Sequence, residues 1–257
     1  MRRLLLVLAL CLLPSLSWAA LSLDGSASGG VAAGASTVPT TGGLTTADTN
    51  DIIVAFVMNY DDSGAAALAV SSIAGASLSW SRKYQTGSTL VGGAGHVNLE
   101  IWYAKSSGTI SGSTITATYP SGVVANADIV VFGVNGADTT TPFDTNASLP
   151  AKASVNGLGT PTVSGVSTTN ANTMIIAAAV NGIGLGNHGS GYTTINVANV
   201  NGTDNEYKIF SSAQSGISVA FTSADSSSFG YVMAVAALQQ ATVAGTTPFI
   251  FTPAIVP

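Results

Sequence analysis

The sequence predicts an all-β protein of two tandem antiparallel β-sandwiches, and three observations predict it. Short runs rich in Val, Ile, Phe and Tyr alternate with clusters of Gly, Asn, Asp and Ser, the pattern of strands parted by tight turns. No segment carries a sustained 3.6-residue apolar period with helix caps. Four stretches recur in the same order in both halves of the chain, as an internal duplication would leave them.

Residues 1–19 read as a secretory signal peptide. Arg2 and Arg3 precede an unbroken apolar run over 4–13, Pro14 breaks it, and Ser17 and Ala19 supply the small side chains before a cut after Ala19 or Ala20. The run is well short of the ~20 residues that a bilayer span needs, so no stable membrane anchor is expected once it is removed. The protein is therefore expected to be secreted, at the extracellular surface, in the periplasm or on a virion.

Residues 20–47, rich in Gly, Ala, Ser and Thr, are expected to form a flexible lead-in with room for one strand. The first sandwich repeat is placed at 48–145, with a buried strand at 51–58, a turn at 59–64 and further strands at 77–82, 97–104, 113–119 and 127–134. Pro150 and Pro161, with Gly157 and Gly159, mark a linker at 146–165. The second repeat is placed at 166–243, with strands at 173–180, 192–197, 205–210, 216–221 and 229–238. An apolar C-terminal arm over 244–257 closes the chain. It reads either as a terminal strand on its own sandwich or, through Phe249, Ile250 and Phe251, as an assembly arm that adds to a neighbour's sheet edge.

The repeat is legible in residues. The run 45–55 resembles 167–177, 99–103 recurs as 205–209, 113–119 as 215–221, and 128–134 as 230–236. On this alignment Glu100 and Glu206, the only glutamates, hold matching places, each expected on a solvated strand face.

Cys11 is the only cysteine and lies in the signal, so neither a disulfide nor a thiolate zinc site is expected in the rest. Residues 20–257 carry five basic against twelve acidic side chains, a net −7, which argues against nucleic acid as partner. Charged residues are 7% of the chain where about 25% is ordinary, so the surface must be largely Ser, Thr, Asn, Gly and Ala.

No chemistry-bearing motif survives scrutiny. Gly184, Gly186 and Gly189 have dinucleotide-fingerprint spacing, but 190–197 reads as β where a helix must follow, so no nucleotide and no cofactor is expected. Asp61 and Asp62 sit in a turn before Gly64 and read as turn chemistry, not a metal site. His96 and His188 are the only histidines, no Gly-x-Ser-x-Gly elbow or His-x-x-x-His pair exists, and no catalytic residue is assigned. The aromatics carry the binding expectation. Alternation along 99–103 puts Trp102 on the face of Glu100, and a solvated Glu face would leave Trp102, with Trp80, to stack on a surface glycan. The competing expectation is that both indoles fill the core.

The segments 100–104, 115–118 and 129–138, with Thr141, Pro142, Phe143 and Asp144, resemble a jelly-roll-like β-sandwich module of phage tail and virion structural proteins and of secreted bacterial surface proteins. The resemblance covers about half the chain. It implies a structural or glycan-facing role and supplies no catalytic residue, and the secretory signal favours the cell-surface members. The sequence thus leads to the expectation of a non-enzymatic secreted structural or adhesive protein, with self or a surface glycan as partner. A carbohydrate-binding module and a secreted hydrolase are the alternatives.

Overall fold

The computed structural model describes residues 19–93, 95–123, 125–180, 188–196, 203–222 and 230–242. These residues form strands, turns and loops, with no helix among them. Residues 1–18 of the segment expected to be a signal peptide, and the expected arm with Phe249, Ile250 and Phe251, lie outside the described residues.

The first half contributes β1 (Ser22–Val31), β2 (Thr37–Pro39), β3 (Ile52–Asp61), β4 (Ser72–Ala74), β5 (Trp80–Gln85), β6 (Thr89–Val91), β7 (Gly95–Lys105), β8 (Thr116–Thr118) and β9 (Asn126–Asn135). Its large sheet runs β1-β9-β3-β7-β5, with β6 also on β7, and its small sheet runs β2-β8-β4. The second half contributes β10 (Ala151–Val155), β11 (Thr162–Val166), β12 (Thr173–Val180), β13 (Thr193–Thr194), β14 (Thr203–Phe210), β15 (Ile217–Ala220) and β16 (Tyr231–Gln239). Its large sheet runs β10-β16-β12-β14-β13 and its small sheet pairs β11 with β15. All pairings are antiparallel. Matched strand for strand, β10, β16, β12, β14 and β13 repeat the order of β1, β9, β3, β7 and β5. The chain is all-β and sandwich-like, as its pattern predicts.

The layers are four deep. Val54, Phe56 and Met58 of β3 and Phe132 of β9 share one buried cluster with Ile176 and Ala178 of β12 and Ala234 and Ala236 of β16. The two large sheets therefore face each other, with Phe56 and Phe132 of the first sharing the core with alanines of the second as well as with Met174, Ile176 and Leu238. On the far face of the first large sheet, Ile53, Ala55 and Val57 meet Val38 and Ala117 of the small sheet. On the far face of the second, Ile175, Ala177 and Val235 meet Val163 and Val219. Strands β12 and most of β3 are buried on both faces, so they read as continuous apolar runs instead of alternating ones.

Several expectations are corrected. The lead-in at 20–47 is structured: β1 pairs with β9 from Ser22↔Asn135 to Val31↔Ala127, and its Gly and Ser residues permit close cover by the following loop, where a Cβ on Gly25 would lie 1.9 Å from the Thr45 carbonyl oxygen. The linker at 146–165 carries β10 and most of β11. The second repeat begins earlier still, because Phe143 bridges Leu238 as Leu23 pairs with Val134. The turn expected at 59–64 starts late, since β3 continues to Asp61. There the Asp61 carboxylate accepts the Ser63 N–H at 2.8 Å and its hydroxyl at 2.6 Å. Asn50 and Asn172, at matching places before β3 and β12, both adopt left-handed φ (63° and 52°), a conformation Asn tolerates.

Register also corrects the repeat alignment. With Ile52 matched to Met174, Glu100 (opposite Val57) coincides with Asp204 (opposite Ala179), and Trp102 (opposite Ala55) with Glu206 (opposite Ala177). The two glutamates are thus two residues out of step on the same face.

Candidate functional site

The face of β7 that carries Glu100 and Trp102 points into the first sandwich, not to solvent. Glu100 is 0% exposed and Trp102 8%. The Trp102 indole N–H donates to Glu100 Oε2 at 2.7 Å, while Glu100 Oε1 accepts the Asn98 amide and the Val70 backbone N–H, each at 2.8 Å. Arg82 closes the outside: its guanidinium lies 3.4 Å from Glu100 Oε2 and 5.6 Å from the centre of the Trp102 ring. A glycan-stacking role for Trp102 is ruled out by this burial. Trp80 is half-buried against the same core, and its indole nitrogen is enclosed. The sequence misled because β7 has covered faces on both sides, so a charged residue does not mark the solvent side.

Glu206 is likewise 0% exposed. Its Oε2 accepts the Gly189 N–H, its Oε1 has no partner, and burial pushes its carboxyl up to about 7. The nearby Tyr192 hydroxyl is also enclosed without a partner, and burial and the Glu206 charge raise its pKa. His188 Nδ1 lies 3.0 Å from the Gly189 carbonyl oxygen, a backbone partner and not a serine. His96 lies within β7 opposite Asp61. Among the described residues no group of three or more His, Cys, Asp or Glu is placed to hold a metal ion.

What remains open is a groove at the end of the first sandwich. It encloses about 550 Å³ between the turn before β5 and the loop after β7, lined by Ser77, Ser79, Lys105, Ser107, Thr109 and Ser111 among others. Backbone conformation shapes one wall, since Ala76 and Ser77 both adopt left-handed φ (52° and 54°), a costly state for residues other than Gly and Asn. The other wall is anchored where the Ser106 N–H donates to the Asp51 carbonyl and the Ser106 hydroxyl to the Gly108 carbonyl. Within the described residues, the hydroxyls of Ser77, Ser79, Ser107, Thr109, Ser111 and Ser113 make no hydrogen bond.

Lys105 stands apart from the other cations. Arg82 pairs with Glu100, Lys83 sits 4.9 Å from the Phe143 ring, Lys152 donates to the Thr86 carbonyl at 2.9 Å, and Lys208 lies over Tyr192 and Phe210. Lys105 is exposed at the groove and makes no hydrogen bond or ion pair among the described residues, with only the longer-range attraction of Asp138 reaching it. The sequence does not single it out, because Lys105 directly follows the strand expected at 97–104 and leads into Ser106, Ser107 and Gly108, ordinary turn formers. The available clue was scarcity: Lys105 is one of only five Lys or Arg residues in 20–257.

Compared with known proteins, the chain matches no family model, no curated sequence and no solved structure.

Proposed function

We propose that this is a secreted, non-enzymatic protein with a structural or adhesive role at a bacterial surface, in extracellular matrix or on a virion. The observation that supports this reading most is the single apolar layer shared by the two large sheets. Two sandwiches joined through a common core move as one slab, as a load-carrying or surface-presenting element requires, whereas a hinged pair would rely on a smaller and more polar contact. Polar ties across the same boundary add to it: Lys152 to the Thr86 carbonyl, Thr203 Oγ1 to Asp128 Oδ2 at 3.0 Å and the Asn196 amide to Ser26 Oγ at 2.8 Å. The low charge of the chain suits a surface layer built from hydroxyl and amide groups.

Self-association through 244–257, with Phe249, Ile250 and Phe251 as its contacts, is the assembly mode we propose. Size-exclusion chromatography with light scattering on residues 20–257, with and without the last ten residues, tests it. Large species that disappear on truncation are expected. A monomer in both cases would overturn assembly through the arm.

A further inference from the structure

We propose that the groove between the turn before β5 and the loop after β7 is a binding site for a saccharide carrying one anionic sugar, with Lys105 as the charge-recognising group. The proposal deepens the adhesive arm of the functional reading and rests on it. Its location is separate from the Trp80 and Trp102 positions, neither of which lines the groove.

The chemistry follows from what lines it. Six of the residues that line the groove carry hydroxyls with no hydrogen bond among the described residues. Each both donates and accepts, which matches the hydroxyls of a sugar and gives no advantage to an apolar ligand. The volume of about 550 Å³ falls within the ~300–1,000 Å³ of small-ligand sites. Lys105 adds a compact donor-only charge; none of the lining residues is acidic, and Asp138, which interacts with Lys105 at longer range, lies outside the lining. A uniformly charged polymer is disfavoured by the net −7 of residues 20–257, leaving an isolated acidic sugar among neutral ones as the fitting class. The four other cations are held by the scaffold. The fifth is presented at the end of β7 beside unpaired hydroxyls, opposite the wall that Ala76 and Ser77 form with left-handed backbone.

Nitrogen–proton NMR spectra of residues 20–257 test this, titrated with a xylotetraose bearing one glucuronic acid and with unsubstituted xylotetraose. Saturable shifts confined to the amides of 76–79 and 105–113 are expected, with the acidic ligand the tighter of the two. Lys105→Gln should weaken the acidic ligand about fivefold, the worth of one exposed ion pair, and leave the neutral one unchanged, while Lys105→Arg retains the preference. Superimposable spectra outside the groove establish that each variant is folded. Absent shifts up to about 10 mM, beyond the ordinary millimolar range, or shifts elsewhere, would overturn the site. Equal binding of the two ligands would overturn the role of Lys105. A chain that assembles yet shows no groove shifts would keep the structural reading and lose this one.

Discussion

Asp24 and Asp144 do the same work in the two sandwiches. Asp24 accepts the successive backbone N–H groups of Ala47 and Asp48 at 2.8–3.0 Å, and Asp144 those of Thr169 and Asn170 at 2.9–3.0 Å. Each clamps the loop that delivers the first central strand of its half. Burial pushes the Asp144 carboxyl up, but the N–H groups of Thr169, Asn170 and Asn146 outweigh it and hold it below the usual range. A folded pKa below the unfolded value of about 3.9 means a stabilisation fully present above pH ~4 and lost as pH falls through the folded pKa. Asp144→Asn should lower unfolding stability by about 1.5–3 kcal/mol at pH 7, the worth of hydrogen bonds to a charged group. Urea unfolding at pH 7 and pH 2.5 checks it, with the difference between variant and parent shrinking at the lower pH.

Asp51 presents the opposite case. It is fully buried beside Asp24, and burial first, then a side-chain hydrogen bond with Asp24 and the charges of Asp24 and Asp48, raise its pKa to about 7 against the opposing effect of Thr46. The second sandwich has Thr173 at the matching place, also fully buried. Between pH ~4 and ~7 the folded state holds a proton that the unfolded state has released, so stability falls as pH rises through that window and levels off above it. Asp51→Asn should remove this slope and gain up to a few kcal/mol at pH 8, with little gain at pH 4. Thermal unfolding across pH 4–8 reads the difference, and parallel curves for the two proteins would contradict it.

The Trp102–Glu100 hydrogen bond yields a third prediction. Trp102→Phe removes the indole donor while Glu100 stays buried, so a loss of about 1–3 kcal/mol is expected. Glu100→Gln replaces an acceptor of four groups with an amide and should also release Arg82 from its place over the ring. Tryptophan fluorescence and chemical denaturation of both variants check this, with a more solvent-exposed emission expected in Glu100→Gln.

The shared core predicts interdependence of the halves. Residues 20–140 made alone would expose Val54, Phe56, Phe132 and their neighbours on one open sheet, an apolar face of the kind that drives association. That fragment should be aggregated or dimeric, while the intact chain should unfold in a single calorimetric transition. Two separable transitions would show that the halves are independent.

Local signals in the chain foretold much of the strand set. Thr173–Val180 is one run of apolar, strand-forming residues, and its boundaries were readable because the turn formers Asn170 and Asn172 stand before it and Asn181 and Gly182 after it. The similarity of the runs around Asn50 and Asn172 was readable for a related reason: a left-handed residue, an Asp clamp and a following buried strand impose similar residues wherever they recur. The place and length of β1 were not readable, because its Gly and Ser residues look like a loose lead-in with at most one strand until the close-lying Thr45 and Pro39 carbonyls explain them.

The sequence by itself determined the all-β class, most of the strands and the existence of matching halves, since strand propensity, turn chemistry and apolar spacing act over a few neighbouring residues. Only the tertiary structure decided which faces are covered. An alternating pattern names two faces of a strand without saying what lies against either. The stacking of the two large sheets turned Phe56 and Ala234 toward each other, the small sheet enclosed Glu100 and Trp102, and the end of β7 left Lys105 outside, beside hydroxyls brought from residues some thirty positions apart.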